Sequence, residues 1–345
     1  MNGNASASTG ETFARRSMSL PDQLLVGAID SHVHAGPVLG SNPGHLDPIE
    51  VAREARDAGM RAIVYYDVFG WASGTAWLVN RHVEGISTFG GYLMNSCHGG
   101  LNPRAVLTAL HMGNEGCRFV SFGSHCTYFQ ASSELGIQDG TLIPLADLYP
   151  KFAERELPVA TRIPLSGPIP FALSEVLEMV AARPEVYLNT GHVSGPEVMR
   201  LLDLAEQFGI AKVLIAHPAR LQLTIEQQKV AASRGAFLEA CLIDWFSPDI
   251  PRTHYYVERE YMHRASQVEN RKLTGPQWMD PIREIGPAHF VLATDYGVRA
   301  APTAVQGMRT MIAALLDYEF TPDEIRTMTA YNPARLIGLA PDNLA

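Results

Sequence analysis

The sequence contains no run of lysine or arginine, no CxxC pair and no apolar stretch approaching the roughly 18 residues of a membrane span. Without a clustered basic surface there is no footprint for a phosphate backbone, and 27 basic against 36 acidic residues, a net charge of -9, point away from nucleic acid as a partner. No membrane association is legible either. Four cysteines in 345 residues, Cys97, Cys117, Cys126 and Cys241, are too few and too scattered for a disulfide scaffold or a zinc finger, and they fit a reducing cytoplasm. Charged residues are sparse at 18%, while hydrophobic ones reach 46%, enough for a large core and incompatible with a disordered chain. Residues 1–20 carry Arg15 and Arg16 but no apolar segment behind them, so they read as a disordered arm before a domain over 21–345.

What the chain does have is a rhythm. Apolar, β-rich runs at 26–34, 61–67, 86–95, 117–123, 186–192, 212–217, 236–243 and 289–295 alternate with helical patterns near 48–58, 75–84, 103–112, 172–182, 195–208, 224–234, 276–285 and 302–316. Several helices open on a first-turn proline, as in Asp47-Pro48 and Gly195-Pro196-Glu197. Eight β/α units predict an α/β fold, a closed (β/α)8 TIM barrel, with long insertions after strand 4 (124–171) and strand 7 (246–275). A ninth strand at 157–163 would instead favour an open doubly wound sheet. Residues 321–338 read as terminal helices outside the barrel.

The chemistry lies at the strand ends. Strand one ends Ile29-Asp30-Ser31-His32-Val33-His34, and period-two geometry sends both imidazoles to one side. A lone His-x-His is as readily a polar turn as a metal grip. Strand five, however, ends in His192, strand six in His217 and strand eight in Asp295, and a closed parallel barrel brings all strand ends to one mouth. Imidazole and carboxylate donors gathered there suit a divalent transition metal.

This pattern resembles the amidohydrolase superfamily of metal-dependent hydrolases, over about residues 24–318. The resemblance implies that His32, His34, His192 and Asp295 bind metal, and that His217 binds a second metal or orients the attacking water, with Asp295 and His217 the catalytic pair. The chain departs from it at strand four, which reads Phe119-Val120-Ser121-Phe122-Gly123-Ser124-His125-Cys126 where two-metal members carry a bridging lysine or glutamate. Either the site holds one ion, zinc foremost with manganese or iron as alternatives, or Cys126 or His125 stands in as a bridge. Glu239 fits better as a partner for a ligand imidazole than as a ligand.

His98, Tyr296, Arg220 and Arg299 are candidate substrate contacts, the two arginines as a clamp for a carboxylate. Trp245, His254, Tyr255, Tyr256, Tyr261 and His263 suggest a lid or a subunit contact in a homo-oligomer, with Trp278 adding apolar area beside them. The expected activity is hydrolysis of an amide, cyclic amide, lactone or ester in a small molecule. The alternative is metal-dependent, non-oxidative decarboxylation of an aromatic or unsaturated acid, as in a branch of the same superfamily. A barrel that keeps its metal for structure alone is the third reading.

Overall fold

Eight short parallel strands pair with their neighbours in chain order: β1 (Ile29–Val33), β2 (Ala62–Tyr65), β3 (Ser87–Leu93), β4 (Cys117–Ser121), β5 (Tyr187–Asn189), β6 (Val213–Ile215), β7 (Phe237–Cys241) and β8 (Phe290–Ala293). The computed structural model describes residues 18–36, 46–68, 70–113, 116–124, 126–133, 135–138, 141–246, 272–297 and 301–340. Helices Pro48–Asp57, Ala72–Val79, Pro103–His111, Phe171–Ala181, Gly195–Phe208, Ile225–Ser233, Gly275–Ile285 and Ala304–Asp317 follow the strands one by one. The sheet closes into the expected barrel at the seam between β1 and β8. There Asp295 N donates to His32 O (2.9 Å) and His34 N to Tyr296 O (2.7 Å). Lower on the seam the buried Asp30 carboxylate accepts from Thr294 N (3.1 Å) and Thr294 Oγ1 (2.5 Å), taking the place of a ladder bond.

Local sequence sets the helix starts. Asp47 with Glu50, Ser194 with Glu197 and Thr303 with Gln306 form reciprocal capping boxes that satisfy amides the first turn leaves bare. The strands separate two cores. Outside, they pack on the helices through residues such as Ile63, Leu188 and Leu292; inside, Ile29, Ala62, Val64, Phe89, Phe119, Tyr187, Leu214, Phe237 and Val291 fill the lumen. Gly91 makes room for one of them, since a Cβ there would lie 2.3 Å from the Phe119 ring.

A register shift on β1 between Asp30 and Val33 decides where His32 points. Strict alternation would put His32 on the face opposite Ile29. The bulge changes the phase, so Ile29 lines the lumen and His32 nevertheless stacks on the lumen ring of Tyr66.

Two expectations need correction. No strand forms at 157–163; Thr161 makes a single bridge to Thr127, and Pro158 and Pro164 remove the donors a ladder would need. The insertion after β4 instead carries an antiparallel pair, Leu135–Gln138 with Thr141–Pro144, so the barrel remains eight-stranded. The terminal helices do not all lie outside. Asn332–Ile337 plugs the N-terminal end of the barrel, sending Ala334, Leu336 and Ile337 into the lumen core, with Lys212 Nζ donating to Leu336 O at 2.9 Å.

The arm expected over residues 1–20 lies mostly outside the described residues, but Ser19 already caps a helix, Leu20–Leu25, held to Ala304–Asp317 by an Asp22–Arg309 pair at 2.6 Å. Residues 247–271, which hold His254, Tyr255, Tyr256, Tyr261 and His263, lie outside the described residues, as do His125 and Arg299. Among the described residues no helix is long and apolar enough to cross a membrane.

Candidate metal centre

The C-terminal ends of β1, β5, β6 and β8 bring His32, His34, His192, His217 and Asp295 together. His34 Nε2 lies 2.8 Å from Asp295 Oδ1, His32 Nε2 3.4 Å from the same oxygen, and His217 Nε2 3.7 Å from Asp295 Oδ2. The buried His192 ring meets His217 edge to face, with centroids 5.1 Å apart. His217 and Asp295 both adopt left-handed backbone, with φ of 44° and 53°. Non-glycine residues adopt this region at a cost of about 1–3 kcal/mol, and such strain gathers at functional sites. Just beyond, Gly297 (φ 121°) is obligatory, because a Cβ would fall 1.7 Å from His34 O.

Each of the three imidazoles that face Asp295 is tethered through its other nitrogen. His32 Nδ1 donates to Glu239 Oε1 (3.1 Å), His34 Nδ1 to Tyr66 O (2.7 Å) and His217 Nδ1 to Asp244 Oδ2 (2.7 Å). With Nδ1 committed to these acceptors, each ring keeps Nε2 for the centre, the nitrogen a metal-binding histidine offers once it is free of its proton. His32, His34 and Asp295 place one donor atom each within 4.8 Å of one another, as do His32, His217, Glu239 and Cys241. The first set fits an ion better. In the second, the Glu239 oxygen already serves His32, and burial pushes the Cys241 thiol well up, away from the thiolate a metal needs.

Electrostatics follow from this packing. Burial would raise the Asp295 carboxyl, but the adjoining imidazoles of His32, His34 and His217 outweigh it and hold Asp295 well below the usual carboxylate range. Burial alone would lower His32; Asp295 and Glu239 reverse this and raise it to about 9. His217 is raised against its own burial by Asp244 and Asp295, and Asp244 is lowered against its burial by His217 and the nearby Arg220.

The position where a bridging side chain would sit is neutral. Ser121, at the end of β4, donates to Asn189 Oδ1 (3.3 Å), and Asn189 Nδ2 donates to the Tyr66 hydroxyl (3.0 Å), itself 2.9 Å from that of Tyr187. Cys126 is buried with its Sγ on Asn95 Oδ1 at 2.9 Å and belongs to neither donor set. His98 stacks on Tyr92, with ring centroids 5.8 Å apart. Tyr296, read from sequence as a substrate contact, is fully buried and gives its hydroxyl to Phe246 O (2.5 Å). Trp245 stacks on the buried Trp278, whose Nε1 donates to Cys241 O, so this pair packs at the root of the second insertion.

Sequence reading missed two residues of the site. Asp244 interrupts the apolar run Cys241-Leu242-Ile243-Asp244-Trp245, a signal that could have found it. Tyr66 gave none.

The barrel is shared with solved structures of metal-dependent hydrolases. It is similar to an amidohydrolase from Burkholderia multivorans with bound zinc (11% identity, 91% of this chain and 99% of that one, TM-score 0.50). It is similar also to a putative 2-pyrone-4,6-dicarboxylic acid hydrolase from Pseudomonas putida (11%, 91% and 98%, 0.52) and to a metallopeptidase, the dipeptidase AC (12%, 90% and 98%, 0.51). At such identities the likeness is one of fold. By sequence the chain belongs to a family described as "Family of unknown function (DUF6282)", whose model matches residues 27–239. That span takes in His32, His34, His192, His217 and Glu239 and ends before Asp244 and Asp295. No curated protein matches the chain.

Proposed function

We propose that the chain is a metal-dependent hydrolase that cleaves an amide, cyclic amide, lactone or ester bond of a small molecule and holds one divalent ion, zinc foremost, with manganese or iron as alternatives. The observation that carries this reading is the approach of three tethered imidazoles, through Nε2, to the Asp295 carboxylate at 2.8–3.7 Å. His32, His34 and Asp295, with His192 and His217 beside them, would hold the ion. Their nitrogen and carboxylate donors suit zinc without excluding its neighbours in the first transition row. The neutral Ser121–Asn189 pair at the end of β4 supports one ion over two.

When bound, such an ion acts as a Lewis acid toward a carbonyl oxygen and lowers the pKa of water toward neutrality. Asp295, kept ionised, accepts the proton of the attacking water and returns it to the leaving group. His217 accepts a hydrogen bond from that water through Nε2 and so orients it. Glu239 and the Tyr66 carbonyl keep His32 and His34 in register. Arg220, close enough to Asp244 to influence its charge, is available for a substrate carboxylate. A homo-oligomeric, cytoplasmic enzyme is part of the same proposal.

The test joins elemental analysis of the purified protein to a panel of lactones, amides and unsaturated acids in ¹⁸O-labelled water. One equivalent of metal and label in the product support the proposal. Carbon dioxide release without label would assign decarboxylation in its place, and full metal loading with no turnover on any class would favour a structural metal.

A further inference from the structure

We propose that Asp244 is a positioning residue, which fixes His217 with its proton on Nδ1 and Nε2 bare toward Asp295; this rests on the metal-dependent reading above. A neutral imidazole has two tautomers, and the one protonated at Nε2 would turn an N–H toward the centre, unable to bind an ion or accept a proton. The Asp244 carboxylate, 2.7 Å from His217 Nδ1, selects the other. Both groups are buried, at 8% and 1% exposure, so the bond faces little competition from water.

The carboxylate is also prevented from moving. Asp244 lies in a four-residue helix, Leu242–Trp245, directly after β7. On one side Ile243 N reaches Thr294 O (3.3 Å), beside Asp295 itself. Just before the helix, Cys241 O accepts from Trp278 Nε1 (2.8 Å). The Asp244 carbonyl accepts from Leu273 N (2.7 Å), where the chain returns from the second insertion. The side chain of Asp244 thus serves the centre while its main chain anchors the returning segment. His217 needs such a brace more than the other imidazoles, because its own backbone is in the left-handed region at φ 44°.

The experiment measures zinc affinity by chelator competition, and the protonation of the His217 nitrogens by long-range ¹H–¹⁵N spectra of the zinc-loaded protein. It compares wild type, Asp244→Ala, Asp244→Asn, His217→Ala and the Asp244→Ala/His217→Ala double variant. Asp244→Ala is expected to weaken zinc about 10–100-fold, the usual effect of losing a partner behind a ligand, and to lose the Nδ1 proton signature. Asp244→Asn, whose amide oxygen can still accept from Nδ1, should lose less and keep the signature. The double variant should bind zinc no more weakly than His217→Ala, because the two act as one unit.

Unchanged zinc affinity and unchanged His217 protonation in Asp244→Ala, or penalties that add in the double variant, would overturn the inference. If wild type binds no zinc, the metal-dependent reading fails by itself, and the His217 spectra of the metal-free wild type and Asp244→Ala then decide the positioning role. Should Asp244→Ala not fold, Asp244→Ser carries the same expectation.

Discussion

Tyr66 orients both histidines of the His-x-His pair: its ring stacks on His32 with centroids 3.8 Å apart, and its carbonyl accepts from His34 Nδ1 at 2.7 Å. The ring is held in turn by Phe119 beneath it, at 4.0 Å, and by Tyr187 and Asn189 at its hydroxyl. A stacked column therefore runs from the barrel core to the candidate ligands.

Substitutions at Tyr66 should separate these functions. Tyr66→Phe keeps ring and carbonyl and loses only the hydroxyl bonds, so it should cost about 1 kcal/mol in stability and leave zinc affinity near wild type. Tyr66→Ala removes the stack and opens a cavity, with an expected loss of about 3–5 kcal/mol and weaker zinc binding. Urea unfolding and chelator competition measure the two effects; equal zinc affinity in both variants would show that the stack does not position His32.

Gly91 tests the same column from its base. A methyl group there meets the Phe119 ring head on, and overpacking of this kind costs about 1–3 kcal/mol. Gly91→Ala should therefore lower the melting temperature and weaken zinc binding, although the residue contacts no candidate ligand. A variant with wild-type melting and metal content would show that Phe119 can shift freely.

For the ligands themselves, His32→Ala should strip metal and abolish turnover. Asp295→Asn should retain some metal, because the amide still offers an oxygen, and lose most turnover because it cannot take the proton. Cys126→Ser should leave the metal-to-chain ratio at one, since the thiol is engaged with Asn95. Elemental analysis of the three variants checks this, and a ratio of two in wild type, falling to one in Cys126→Ser, would make the thiolate a bridge.

The carboxylates around His32 and His217 predict a pH dependence for protein stripped of metal. Both imidazoles have raised pKa values in the folded state, His32 at about 9 against an ordinary 6.5. The contribution of His32 to stability is complete below about pH 6.5, where it is protonated folded or unfolded, and is lost as the pH rises through about 9, and that of His217 is lost in the same direction. Metal-free protein should thus melt at progressively lower temperature from pH 6.5 to 9. Zinc-loaded protein, whose ligand imidazoles are already neutral, should show a shallower slope, and parallel slopes by calorimetry would contradict the assignment of these histidines as ligands.

Much of this was legible in the sequence because parallel barrels gather strand ends in one place. His192, His217 and Asp295 each close an apolar run, so assigning the strands was enough to bring them together. The β1 bulge was not legible, since period-two reading makes His32 and His34 face alike but gives no sign that the phase has changed against Ile29. Tyr66 was hidden for a related reason, as half of its work is done by a backbone carbonyl that carries no residue identity. The antiparallel pair in the first insertion did leave a mark in the sequence, the Asp139-Gly140 dipeptide between its strands, which as a sequence signal is typical of two-residue turns. The plug by Asn332–Ile337 has no local signature, because an amphipathic helix looks the same whether it packs on a barrel's wall or in its floor.

That plug sets an order on how the protein can be made. A chain leaving the ribosome exposes β1 to β7 first, then β8, which closes the seam, and only later Ala334, Leu336 and Ile337, which give the lumen its floor. Until β8 emerges the nascent chain is an open sheet with two free edges, and until the plug docks its lumen keeps an uncovered apolar end, the kind of species that aggregates or engages chaperones. Assembly of the candidate centre is tied to β8 and not to the plug, because Asp295 follows that strand directly. The candidate ligands can all be brought together only after β8 has been made, when seven of the eight strands are already in place.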